Sequence, residues 1–298
     1  MNDPSPVCIF AYVRPISLSA CLTALANNRG AKLTPVTIYI DGPKNEHDAA
    51  GVTATVKVAN AYHTGFFKSL AIIASTSNKG LATSVIQGVT ETLKSTGRVI
   101  VLEDDLVPTA NFLEYMNQSL MHYAGDARVG SISGFSYLVK PDAVFDNYFH
   151  PRPTSWGWAT WSDRWNQAVW NLANERDLDT FNFKRKFNQG GEDLFRMLKA
   201  YRHGLIDTWA IRWAYTHHKY GWLAAYPTRS LIDNRGFEGI GTHCSGKTPP
   251  PTEMDDGAQA VFNLRQDVVE TYQITKQVNW YSSNLYKILS RSKLLRKY

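Results

Sequence analysis

The chain has 298 residues, is 44% hydrophobic and 19% charged, and carries a formal net charge of +6 with a pI of about 9.1. That composition excludes a disordered chain and supplies apolar side chains for a large core, in one large domain or two small ones. No apolar run approaches the ~20 residues that span a bilayer, and the opening MNDPSPVCIFAYVRP has neither the basic nor the apolar region of a signal peptide.

In chain order, residues 7–12, 35–40, 69–75, 98–102 and 129–133 are short, apolar and mostly β-branched, and read as buried strands. Helical patterns lie between them. In 80–96, Leu81, Val85, Ile86, Val89 and Leu93 share one face, and in 109–123 Phe112, Met116, Leu120 and Tyr123 do the same. Strand and helix in alternation predict an α/β layer with a mainly parallel sheet flanked by helices, whose ligands bind beyond the carboxyl ends of the strands. From about residue 136 the texture changes. The segment HPRPTSWGWATWSDRW is dense in Trp, Pro and Arg, and GGEDLFRMLKAYRHG and DTWAIRWAYTHHKYG read as amphipathic helices. Short strands near 223–233 and a Gly- and Pro-rich loop over 236–257 follow. No linker interrupts the chain. The expected organisation is one catalytic unit, with a ligand-binding α/β half over 1–135, a second half over 136–280 and a basic amphipathic tail over 281–298. The three cysteines, Cys8, Cys21 and Cys244, lack metal-site spacing and read as free thiols in a reducing compartment. The basic excess alone admits nucleic acid, but no helix-turn-helix, finger or RNP-like pattern accompanies it.

The most informative stretch is VIVLEDDLVP, residues 99–108, where an apolar strand runs into Glu103, Asp104 and Asp105. Two carboxylates ~4 Å apart repel by ~1 kcal/mol in water and ~4 kcal/mol at an effective dielectric of 20. A divalent cation compensates such a cluster, and an oxygen-only ligand set suits Mg²⁺ or Mn²⁺ rather than Zn²⁺. The plainer alternative is a solvated loop in which an Asp or Thr109 caps the next helix.

VIVLEDDLVPTANFLEYMN resembles the metal-binding stretch of GT-A glycosyltransferases, in particular the N-acetylglucosaminyltransferase I-like family and its bacterial relatives in surface-polysaccharide synthesis. IFAYVRP is similar to the family's first strand, YIDGP to its second, and SWGWATWSDRW to the acceptor-side signature of the bacterial members. DTWAIRW and LIDNRGFEGIGTHC add to the likeness, which covers roughly residues 7–245. It implies a GT-A (Rossmann-like) fold with a C-terminal acceptor-side region, and an inverting, metal-dependent transfer of a sugar, with UDP-GlcNAc as the type of donor, to a glycan or lipid-linked glycan. Asp105 would bind the metal, while Glu103 and Asp104 contact the nucleotide sugar. Arg14 and Asp41 would steady the nucleotide, Asp41 by accepting a uracil N3–H, with Asn78 and Lys79 as weaker donor-side candidates. For Asp41 a turn-forming role in DGP competes, and for Arg14 an ordinary carboxylate partnership.

Inversion needs a base for the acceptor hydroxyl. Asp207, in an Asp-x-Trp setting, is favoured over Asp193 in GGEDLF. Trp156, Trp158 and Trp161 are the acceptor-side aromatics, with one expected on sugar and two in packing. His217 and His218 read as structural, and His243 is a further candidate for phosphate or metal. In the tail, Leu285, Ile288, Leu289 and Leu295 face one way, and Lys287, Arg291, Lys293, Arg296 and Lys297 supply positive charge for an anionic membrane surface. The expected location is cytoplasmic, peripheral on the inner face of the membrane. Competing readings are a non-catalytic glycan-binding module and a phosphosugar transferase on the same fold.

Overall fold

A computed structural model describes residues 3–140, 144–237 and 249–291. Its first half contains β1 (Val7–Ala11), α1 (Pro15–Ala26), β2 (Pro35–Ile40), α2 (Glu46–Asn60), β3 (Ser69–Ala74), α3 (Leu81–Thr96), β4 (Arg98–Glu103), β5 (Leu106–Pro108), α4 (Phe112–His122) and β6 (Val129–Ser133). The second half adds β7 (Asn147–His150), β8 (Trp158–Trp161), α5 (Ser162–Trp165), α6 (Phe181–Phe187), α7 (Leu194–Arg202), α8 (Trp209–Tyr220), β9 (Leu223–Pro227), β10 (Ile232–Asn234), α9 (Tyr272–Ser282) and α10 (Asn284–Arg291).

Eight strands form one sheet in the order β3-β2-β1-β4-β8-β6-β9-β7. Only β8 and β7 run against the others, so this is a mainly parallel, Rossmann-like sheet of the GT-A kind. The sheet continues across residue 135, because β8 inserts between β4 and β6. Both faces are covered, which is why β1 and β6 are buried at every position. On one face α1 and α4 lay Leu18, Leu22, Phe112 and Met116 against Ile9, Ile38 and Ile100. On the other, α3 and α8 bring Val85, Val89, Trp209 and Trp213 to Phe10, Val99 and Val101.

The strand at 69–75 corrects an expectation. It forms β3, but at the sheet edge, and Ile73 is 49% exposed. An apolar run identifies a strand without fixing its place in the sheet. The tryptophan-rich segment adds a strand that its sequence pattern does not announce, since WATW is β8, buried at all four positions. Trp158 stacks on Trp209 at 4.8 Å, and Trp165 meets Trp170 at 4.5 Å and Trp213 at 5.3 Å. Burying one large aromatic is worth roughly 4–6 kcal/mol gross at ~25 cal/mol per Å². Gly157, entering β8 at φ 63, has no room for a side chain: a Cβ would lie 2.7 Å from Ile232. His217 is buried beside Ser131, Trp213 and Trp222, and His218 lies between Phe183 and Phe187. Cys8 and Cys21 are buried free thiols. Among the described residues no helix is long and apolar enough to cross a membrane.

Candidate active site

The three carboxylates stand at the carboxyl end of β4, where β1 has also ended and the chain turns into β5. They do not share one environment. Asp104 points inward and is fully buried, while the Asp105 side chain keeps 14% exposure and Glu103 is half-buried. The backbone N–H of Tyr12 donates to Asp104 Oδ2 at 3.3 Å. Arg14, just past β1, grips both aspartates: its Nε donates to Asp104 Oδ2 at 3.3 Å and its Nη1 to Asp105 Oδ2 at 2.9 Å, while Nη2 pairs with Asp104 Oδ1. The carboxylate partnership considered for Arg14 is therefore its actual setting.

One guanidinium does not neutralise three carboxylates. Burial first, then the charges of Asp105 and Asp104, push Glu103 up to about 8 against the pull of Arg14. Burial likewise lifts Asp104 to about 7, with Arg14 opposing. Asp104, enclosed by Arg14 and Tyr12, is a poor contact for a ribose, and the structure assigns it to holding Arg14 in place.

Asp41 is 8% exposed, and its two oxygens are already engaged. Oδ1 accepts the N–H groups of Gly42 at 2.9 Å and Lys79 at 2.8 Å, and Oδ2 accepts that of Gly80 at 2.9 Å. Asn78 Nδ2 donates to the Gly42 carbonyl at 2.9 Å. A carboxylate offers about four acceptor positions. Three are taken, so Asp41 and its two weaker companions clamp the end of β2 to the start of α3 and leave about one position for a ligand.

A second chain segment completes the cluster. β10 pairs with β5, joining Asn234 to Leu106, and the next residues pass over the carboxylates. Arg235 N–H donates to the Asp105 carbonyl at 3.0 Å. A Cβ on Gly236 would stand 2.4 Å from Asp105 Oδ2. Arg235 also borders an open groove of about 740 Å³ that runs mainly along α1, past Pro15, Ser19, Thr23 and Asn27, and is not lined by the carboxylates. Sequence reasoning noted the segment LIDNRGF but not Arg235, Gly236 or Phe237 individually. Only the β5–β10 pairing brings them to Asp105.

From Phe237 a row of aromatic rings leads away from the carboxylates. Phe237 meets Trp156 at 5.5 Å, Trp156 meets Phe135 at 4.5 Å, Phe135 meets Tyr137 at 5.1 Å, and Tyr137 stacks parallel to Tyr281 at 5.8 Å. Trp156 is half-buried and available to a ligand, whereas Trp158 and Trp161 are 1% and 5% exposed and belong to the core. At the far end of the row, Arg152 Nη1 donates to Asp193 Oδ1 at 2.6 Å. Tyr137 lies close enough to this pair to feel both charges. The Asp193 side chain is 14% exposed. Asp207 is different: its side chain is 70% exposed in the turn before α8 and meets Arg212 at 3.2 Å.

Among the described residues no three His, Cys, Asp or Glu side chains converge as a metal cage. His243 and Cys244 lie outside the described residues, as do Lys293, Leu295, Arg296 and Lys297 of the tail.

No protein-family model matches the chain, and no curated protein matches it in sequence. Among solved structures, S. aureus TarS aligns with 76% of this chain at 11% identity and a TM-score of 0.41, and this chain spans 36% of TarS. The mannose-1-phosphate geranyltransferase of Thermus thermophilus aligns with 78% of this chain and 76% of its own, at 13% identity and a TM-score of 0.40. Likenesses this distant carry no argument about activity.

Proposed function

We propose that the protein is an inverting, divalent-metal-dependent glycosyltransferase that takes a nucleoside-diphosphate sugar at the carboxylate cluster and passes the sugar to a glycan or lipid-linked glycan. The observation that carries this reading is the crowding of three carboxyl groups, Glu103, Asp104 and Asp105, at the end of β4, where among the described residues Arg14 is the cation paired with the two aspartates.

The donor set fits Mn²⁺ or Mg²⁺: the oxygens are hard, and with all three carboxylates ionised against one guanidinium about two negative charges would be left for such an ion to balance. With Asp104 paired to Arg14, Asp105 is the side chain that would hold the ion. When bound, the ion would neutralise the leaving diphosphate. Arg14 holds Asp105 in position, Gly236 permits the close approach of the covering segment, and Glu103 lies close enough to feel the charges of Asp105, Asp104 and Arg14. A uracil base is accommodated through the acceptor position left on Asp41, which makes a UDP-sugar the preferred donor.

For the acceptor, Trp156 offers a ring face on which sugar C–H groups stack. The row from Phe237 to Tyr281 links this position to Asp193, which Arg152 orients. The shelter of Asp193 and its pairing with Arg152, set against the exposure of Asp207, support Asp193 as the base for the acceptor hydroxyl, with Asp207, favoured from the sequence, as the alternative. A thermal-shift panel of nucleotide sugars with and without Mn²⁺ tests the reading. A true donor at 100 times its dissociation constant stabilises by ~2.7 kcal/mol. No metal-dependent shift with any nucleotide sugar would remove the proposal's basis.

A further inference from the structure

The positive charge of the chain is concentrated. Residues 176–206 and 284–298 together hold 12 of the 32 basic residues but 4 of the 26 acidic ones, so the rest of the chain is slightly acidic. In the structure the first of these segments is the helix pair α6–α7. Its inner side is apolar, with Phe187, Leu194 and Leu198 buried under α8. Its outer side presents Lys184, Arg185 and Lys186 in succession, all exposed.

Apolar side chains stand at the edge of this basic face. Phe181, the first residue of α6, is 80% exposed. The ion pair of Asp179 with Arg202, at 2.8 Å, ties the start of α6 to the end of α7, and there Leu205 is 74% exposed. At the opposite end of the pair, Asn279 Nδ2 donates to the Gln189 carbonyl at 2.7 Å and the Glu192 N–H donates to Ser282 Oγ at 3.1 Å. Those bonds seat α9 against the pair, and α10, which follows α9 and packs on it, carries Leu285 55% and Ile288 64% exposed.

We propose that the outer face of α6–α7, together with α10, docks on an anionic lipid bilayer. A bilayer is the occupant that uses every part of this surface. Lysine and arginine heads reach the phosphate level while their stems lie along apolar surface. An aromatic ring and single aliphatic side chains enter the boundary of the acyl region, and basic residues draw the protein to the anionic leaflet. Nucleic acid would use the cations but has no place for exposed Leu205, Leu285 and Ile288. Neither charge nor burial supplies enough alone, and stable membrane binding takes two such signals. The inference does not depend on the catalytic reading, because none of these side chains lies at the carboxylate cluster.

Co-sedimentation of the full chain with vesicles tests it. Binding is expected to phosphatidylcholine vesicles containing 30% phosphatidylglycerol, with little to pure phosphatidylcholine, and to weaken at 0.5 M salt. The triple variant K184E/R185E/K186E should lower the partition coefficient by at least about 100-fold, because each basic residue near an anionic surface is worth ~1 kcal/mol. Phe181→Ser should lower it further, about tenfold. Both substitutions fall on exposed positions, and an unchanged melting temperature will show that the fold persists. Undiminished binding by the triple variant would overturn the proposal. So would equal binding to pure phosphatidylcholine, or loss of binding only when the tail charges are reversed in K293E/R296E/K297E.

Discussion

Gly236→Ala isolates the geometry on which the candidate site rests. Its backbone is not in the left-handed region, so alanine brings no conformational penalty of its own. The new Cβ, however, would stand 2.4 Å from Asp105 Oδ2 and 3.0 Å from Asn234 Oδ1, whereas real Cβ contacts essentially never fall below 3.0 Å. The Asp105 carboxylate or the covering segment must therefore move by about 0.6 Å. Arg14 Nη1 holds Asp105 at 2.9 Å, and a displacement of that size carries the pair to the limit of a hydrogen bond. Overpacking of this kind costs about 1–3 kcal/mol, so the protein should remain folded. A misplacement approaching 1 Å at a reacting centre costs about 10²-fold in rate. The assay compares Mn²⁺-dependent turnover of the donor identified by thermal shift in wild type, Gly236→Ala and Gly125→Ala, the last a control whose Cβ meets nothing within 4 Å. The expected order is a loss of about 10²-fold for Gly236→Ala and none for the control. Full activity in Gly236→Ala would refute the claim that the β10 segment fixes Asp105.

Asp193→Asn should retain donor binding but lose about 10²–10⁴ in turnover, the usual contribution of a positioned base; Asp207→Asn should stay near wild type, and the opposite pattern would return the role to Asp207. Trp213→Ala opens the tryptophan core under β8 and should cost about 3–5 kcal/mol in urea unfolding, with a small effect counting against that packing. Burial pushes His217 down to about 3, so the unfolded chain takes up a proton below its ordinary value near 6.5 while the folded protein does not. That imidazole therefore withdraws stability as pH falls from 6.5, by about 2 kcal/mol at pH 5. The raised carboxylates Glu103 and Asp104 act in the opposite sense over the same range, so the readout is the difference between wild type and His217→Gln. The wild type should lose more, or gain less, between pH 7 and pH 5, and identical slopes would contradict the assignment.

What the sequence disclosed follows from what short-range pattern can encode. The strands β1, β2, β4 and β6 were legible because each is a short, mainly apolar stretch with β-branched residues, set between helical patterns or turn residues. The same signal identified β3 but not its edge position, which depends on what packs beside it. β8 was not read as a strand. WATW is buried on both faces and shows no alternation, and the expectation that two of Trp156, Trp158 and Trp161 pack did not say which two, which depends on partners such as Trp165 and Trp209 beside Trp158. At the site, EDD and Arg14 were visible because charge at a strand end is locally anomalous. Asp41 was visible too, but its three backbone donors come from its own turn and from the entry to α3, so its clamp could not be seen. Gly236 and Phe237 lie about 130 residues from Asp105 and reach it only through the β5–β10 pairing. The preference proposed for Asp193 over Asp207 likewise rests on exposure and on Arg152, neither of which the local sequence contains.

The central claim is that Asp105 and its neighbours take a divalent ion together with a nucleoside diphosphate. Titrating Mn²⁺ by electron paramagnetic resonance, with and without UDP, in wild type and Asp105→Asn measures this most directly. One Mn²⁺ site per chain is expected in wild type, tightened by UDP and lost in Asp105→Asn while the melting temperature is kept. Equal Mn²⁺ binding by the variant, or none by wild type in the presence of UDP, would contradict it.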